Sequence, residues 1–256
     1  MIKQIIYDKI NKARAQRLLT NCYSLDVVEM ACNIWEYGSN FIFSYKDHGI
    51  NRLIYFAENA FAIDSLLDII SSGYYFLEFM TKDSEEYIPK RSSIIARMMR
   101  LANLDCRSVF DATSSVLQYF DESIGEYAED TDIVEINNIL WKTFHTEISH
   151  LLTDDELKTK INQLTIHRDI AHDGHIDAML QADVMPKKFY INQIVNNGEP
   201  KIIHAMLLNR LKTYIEHGGR YIYAWVEDSN VASLKFHQKY GMKHDGMWSM
   251  IYSLER

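Results

Sequence analysis

The sequence predicts an α/β fold, and three observations carry that prediction. Segments with apolar residues at helical spacing take turns with segments that alternate apolar and polar side chains. The hydrophobic share of 47%, with 16 Tyr, 11 Phe and 11 Met, is enough to fill a core and excludes wholesale disorder. Three prolines and ten glycines leave little material for a flexible linker.

In the first part of the chain, Ile2, Ile5, Ile6, Ile10, Ala13 and Leu18 lie near helical spacing and predict a helix over residues 2–19. The apolar pattern predicts a second helix over residues 25–37. Residues 40–45 and 53–58 read as strands around the turn Asp47-His48-Gly49. Residues 62–70 read as a helix stopped by Gly73, and residues 74–80 as a strand. The polar segment 81–87, followed by Pro89, is a boundary signal, and residues 92–104 read as a helix. The chain is expected to divide into a smaller α/β domain, residues 1–110, and a second domain, residues 111–256.

From Asp132 onward the pattern is firmer. Ile133, Ile136, Ile139, Leu140 and Phe144 form one apolar helical face. Thr153 and Glu156 make a capping box, in which hydroxyl and carboxylate satisfy free amides at a helix start. Strands follow at 165–170 and 176–180, joined by the turn pair Asp173-Gly174, and at 188–195. Leu207, Leu208, Leu211 and Ile215 mark the buried side of a helix over 202–217, ended by Gly218-Gly219. Residues 221–226 read as a strand, 230–240 as a helix stopped at Gly241, and 248–254 as a final strand. Tyr221, Tyr223 and Trp225 alternate with Ile222, Ala224 and Val226, as in a strand covered on both faces.

The spacing from Asn230 through His237 to Gly241-Met242 resembles the closing motif of the GNAT superfamily of acyl-CoA N-acyltransferases. In that family an Asn opens a short helix, an acidic aromatic hydroxyl follows two turns later and Gly-Phe ends it. This chain keeps Asn230 and Gly241 and has His237 and Met242 at the other two places. The element order from Asp132 is also similar to the family's, so the resemblance covers about half the chain. It implies a mixed, mostly antiparallel sheet flanked by helices. The order read in the first domain resembles a GNAT unit with parts missing, and a self-contained α/β cap domain is the equal alternative.

The resemblance implies transfer of an acetyl or other acyl group from acyl-CoA, as co-substrate, to a primary amine. The family's pyrophosphate loop reads Arg or Gln, two residues, Gly, one residue, then Gly or Ala. Aligned on Leu207-Leu208, this chain has Pro200-Lys201-Ile202-Ile203-His204-Ala205 there, keeping only the final small residue. Such a loop holds phosphate with backbone amides at a helix N-terminus. The donor-binding set implied is Ile194 and Val195 on the preceding strand, Lys201, Ile202, Ile203, His204 and Ala205 in the loop, and Asn230 and His237. His237 sits where the family's hydroxyl protonates the departing thiolate, and imidazole titrates near neutral pH. For a general base the strand 188–195 offers no carboxylate, leaving Tyr190 and Gln193 as polar lining. Glu227 at a strand end and His204 at a helix start are the base candidates. Asn230 also serves as a helix N-cap.

The remaining signals narrow the partners. A formal charge of −8 without a dense Lys/Arg run counts against nucleic acid, and therefore against aminoacyl transfer from tRNA. His167, His172 and His175 do not gather on one face of their hairpin, so no metal is expected. Cys22, Cys32 and Cys106 are few and far apart, and the charged start offers no signal peptide or membrane span; a cytoplasmic protein is expected. Ile203 in place of the loop glycine favours the alternative of a catalytically silent GNAT-like ligand- or protein-binding module.

Overall fold

The computed structural model describes residues 2–22, 24–82 and 87–256, so most of the boundary segment expected at 81–87 lies outside the described residues. In chain order the elements of the first part are α1 (Ile2–Gln16), β1 (Leu19–Thr20), β2 (Ala31–Tyr37), β3 (Asn40–Asp47), β4 (Ile50–Ala57), α2 (Ala60–Leu67), β5 (Tyr74–Lys82) and β6 (Ser92–Asn103). There follow β7 (Glu126–Tyr127), α3 (Ile133–Thr143), α4 (Asp154–Asn162), β8 (Ile166–Ile170), β9 (Ile176–Met185), β10 (Lys188–Asn196) and α5 (Pro200–Glu216). The chain ends with β11 (Tyr221–Glu227), α6 (Val231–Gln238) and β12 (Lys243–Glu255).

The chain forms two compact units that are not consecutive in sequence. Unit 1 takes Met1–Met98, Thr146–His150 and Gly246–Arg256; unit 2 takes Met99–His145 and Leu151–Asp245. Each is built on a mixed, mostly antiparallel sheet. In unit 1 the strand order is β2-β3-β4-β5-β12, and in unit 2 it is β11-β10-β9-β8-β7. The last strand therefore leaves the unit of α6 and pairs with β5, from Met247↔Lys82 to Glu255↔Tyr74.

Two helices expected from the sequence are not helices. Residues 25–37 split into a 3-10 turn, Asp26–Met30, and β2. Gly38 takes a positive φ of 62°, open to glycine, and closes a tight hairpin in which β2 pairs with β3. Residues 92–103 form the strand β6. Its Met, Arg, Leu and Ala favour helix by only a few tenths of a kcal/mol each. Sheet pairing and the burial of Ala96, Leu101 and Ala102 outweigh that preference.

Helices cover both faces of each sheet. In unit 1, Ile6, Ile10 and Ala13 of α1 meet Phe41, Phe43, Ile54 and Phe56. On the opposite face Ile63, Leu66 and Leu67 of α2 meet Leu53, Tyr55 and Leu77. The alternation Leu53, Ile54, Tyr55, Phe56 thus serves two cores by strand period alone. In unit 2, α3 and α4 bury Ile136, Leu140, Leu157 and Ile161 against Met179 and Val195. The other face carries α5, whose Met206, Leu207 and Leu211 pack on Leu180, Phe189 and Ile222. Each such side chain fully buried is worth roughly 1.5–3 kcal/mol. The capping box read at Thr153 forms, with both reciprocal hydrogen bonds present.

Candidate functional site

The site begins where two parallel strands part. β10 and β11 pair in register from Lys188↔Tyr221 to Ile191↔Ala224. No pairing between them follows, although β10 runs on to Asn196 and β11 to Glu227. At the same point the register of β10 on β9 shifts between Ile191 and Gln193, so Asn192 is the extra residue of a bulge. Past it, the edge of β10 that faced β11 has no ladder partner, and the opening extends roughly 10 Å along the three further residues of β11. Gln181 and Gln193 face one another across β9 and β10 beyond the bulge. They are 1% and 6% exposed, and Gln181 Nε2 and Oε1 and Gln193 Oε1 have no hydrogen-bond partner.

Unit 1 contains a comparable parting, and there it is filled. β4 and β5 pair in parallel only at Arg52↔Phe76 and Leu53↔Leu77. The buried Asn21 side chain bridges them: Nδ2 donates to Leu53 O at 3.0 Å and to Glu78 O at 2.9 Å. Its Oδ1 accepts the Tyr55 N–H at 3.0 Å.

The loop after β10 opens α5 with Glu199 as N-cap, making no side-chain capping bond, and Pro200 in the first turn. Lys201 is exposed and pairs with Glu199 at 2.9 Å. Ile202 is half-buried and its N–H donates to Glu199 O at 3.0 Å. Ile203 and Ala205 are buried, Ile203 in the core beside Leu207. His204 is also buried, with its ring between Tyr119 and Phe236 at centroid distances of 4.7 and 4.8 Å. Its Nδ1 lies 2.8 Å from Tyr240 Oη, and burial, assisted by the Lys239 charge, pulls its pKa down to about 4.

Across from it, α6 is capped by Asn230, whose Oδ1 accepts the Ser233 N–H at 3.0 Å. One turn later Ser233 O accepts from His237 Nδ1 at 2.8 Å. That bond makes Nδ1 the protonated nitrogen and leaves a lone pair on Nε2, which is buried without a partner. Burial holds the His237 pKa below its ordinary value. Gly241 ends the helix with a φ of 67°, and Met242 is buried behind it.

Of the residues read from the sequence, the structure brings His204 and His237 to one ring, Phe236, which stacks on His204 at 4.8 Å and meets His237 edge-on at 5.3 Å between centroids. Asn230 and Glu227 are joined through the backbone, Asn230 N–H to Glu227 O at 2.9 Å, with Glu227 half-buried. Ile194 packs toward the α5 core and Val195 toward the α3 core. Gln181 and Tyr119 were not legible as site residues; a Gln within the apolar run 178–182 was the only signal. Tyr221, Tyr223 and Trp225 are half-buried while Ile222, Ala224 and Val226 are buried, so only one face of β11 is fully covered. The His167 ring lies tilted against Tyr127, with centroids 4.2 Å apart, and His175 sits beside Glu135 at 3.4 Å.

Strand order, bulge, parting strands and capped short helix can be set against known structures. An acetyltransferase described as of the GNAT family from Novosphingobium aromaticivorans superposes with a TM-score of 0.56 at 10% identity, over 84% of this chain and 88% of that one. The chain has the GNAT fold. A GCN5-related N-acetyltransferase from Sphaerobacter thermophilus gives 0.55 at 11% identity, over 84% and 76%. A tandem GNAT protein from the clavulanic acid biosynthesis pathway gives 0.51 at 10% identity, over 88% and 83%. The tandem GNAT likeness agrees with two units that each run three strands, a helix and a strand. No family model and no curated protein sequence matches this chain.

Proposed function

We propose that unit 2 transfers an acyl group, acetyl in the first instance, from acyl-CoA to a primary amine. The parting of β10 and β11 at the Asn192 bulge carries this reading. It offers a slot with unpaired backbone amides for a thioester carbonyl, in a fold whose similar structures include acetyltransferases. The donor's thioester lies in the slot, its carbonyl oxygen against an N–H of the 192–195 stretch, which stabilises the oxyanion of the tetrahedral intermediate. The amine nitrogen bonds to the carbonyl carbon. His237 Nε2, holding a lone pair, takes the proton that nitrogen must lose. As the C–S bond breaks, the proton passes from Nε2 to the thiolate, and amide and free CoA leave. A ring fixed by Ser233 as a neutral acceptor suits that relay better than a simple acid. Glu227 and His204 stay as the other base candidates, with both ring nitrogens of His204 close to Tyr240 and Lys239.

The test is release of CoA thiol from acetyl-CoA over a panel of amines. Amine-dependent release supports the reading, and its absence with every class of amine counts against it. One observation favours a second reading, a silent module that binds without turnover. Glu199 places a carboxylate, and Pro200 removes an N–H, where the donor's pyrophosphate would seek amides. Acetyl-CoA binding with no turnover would select it.

A further inference from the structure

Unit 1 holds a second cluster of chemistry-bearing side chains, at the tip of the β3–β4 hairpin. The β3–β4 hairpin turns through His48 and Gly49, with φ of 49° and 83°, as in a two-residue turn of mirror-image type. Asp47 precedes them with its side chain 3% exposed. Arg52 donates Nε to Asp47 Oδ2 at 2.6 Å, and its guanidinium also reaches the carbonyls of Thr146 and Glu147. That grip docks the segment Thr146–His150, itself part of unit 1, beside the hairpin. The carboxylate is thereby oriented, with Oδ1 left facing two imidazoles. His150 Nδ1 lies 2.9 Å from it and His48 Nε2 3.7 Å. The three ligand atoms all lie within 4.8 Å of one another.

The geometry points to a zinc site made by Asp47, His48 and His150. Bonds of 2.0–2.2 Å at tetrahedral angles put ligand atoms about 3.3 Å apart, which the separations of 2.9 and 3.7 Å bracket. Two imidazoles with one carboxylate oxygen suit zinc and its transition-metal neighbours, whereas calcium and magnesium take oxygen sets. Three protein ligands leave a fourth position for water. Arg52 acts as the outer partner that holds the carboxylate in place, and its positive charge weakens the site relative to one with an unpaired carboxylate. Bound there, the ion ties the hairpin turn to the 146–150 segment.

The experiment is calorimetric titration of the full-length, chelator-treated protein with zinc chloride. One zinc per chain is expected, with affinity at least about tenfold weaker in either His48→Ala or His150→Ala. The double variant loses the site while its circular dichroism is unchanged, since neither histidine side chain is fully buried. No zinc uptake by the wild type overturns the proposal. So does uptake of equal strength by the double variant, which would assign the ion to other residues.

Discussion

Asn21 and Tyr55 are joined by a buried hydrogen bond, Oδ1 to backbone N–H at 3.0 Å, at the point where β4 leaves β5. The same carboxamide donates to Leu53 and Glu78, so one side chain satisfies backbone groups of two strands that no longer satisfy each other. Asn21→Ala should destabilise the protein by about 2–4 kcal/mol, because three buried groups lose their partner at once. Asn21→Asp should be at least as damaging, since a carboxylate would face two carbonyl oxygens. Urea unfolding followed by fluorescence measures both, and a loss under about 0.5 kcal/mol would mean water replaces the bridge.

Gly219 and Tyr214 make a second close approach. A Cβ on Gly219 would stand 2.3 Å from the Tyr214 ring, which is buried against Phe189. Gly219→Ala should therefore cost about 1–3 kcal/mol through displacement of that ring. A Gly219→Ala, Tyr214→Leu double variant should lose less than the sum of the two single changes.

Acid should weaken the fold through His204. Its folded pKa of about 4 lies below the unfolded value near 6.5, so between these pH values the unfolded chain binds more protons. Its contribution is intact above about pH 6.5 and falls as pH drops toward 4, by on the order of 3 kcal/mol. His204→Phe should flatten that limb of the stability profile from urea midpoints. An unchanged slope would place the acid sensitivity elsewhere, with His167, lowered to about 3 by burial, the next group to replace.

The C-terminal elements were legible because their signals are local. A capping box, a turn pair, Gly241 after a short apolar helix and a long α5 face each act within a few residues. β6 was not, since Met98, Met99 and Leu101 favour helix and only distant neighbours make them strand. The exchange of β12 into unit 1 was equally hidden: nothing near Met247 announces Lys82 as its partner. At the candidate site, the Asn230 cap of α6 could be read from spacing. The parting strands could not, because a bulge at Asn192 depends on β9 and β11 together. The Asp47 cluster gathers residues from a turn and from a segment some hundred positions on, which no local pattern records.

His237→Phe should reduce turnover by about tenfold or more while leaving acetyl-CoA affinity nearly unchanged, because the ring's bulk stays and its lone pair goes. The wild-type rate should rise with pH through the His237 titration, and the variant should lack that limb. Equal turnover in the two proteins would make His237 a packing residue.

Titrating the full-length protein with acetyl-CoA in a calorimeter tests the central claim most directly. The account predicts saturable binding of one molecule per chain, tighter than about 100 μM, or roughly −5.5 kcal/mol. A single site is expected because unit 2 keeps its opening while Asn21 fills the one in unit 1. No saturable heat at millimolar acetyl-CoA, or two molecules bound per chain, would contradict it.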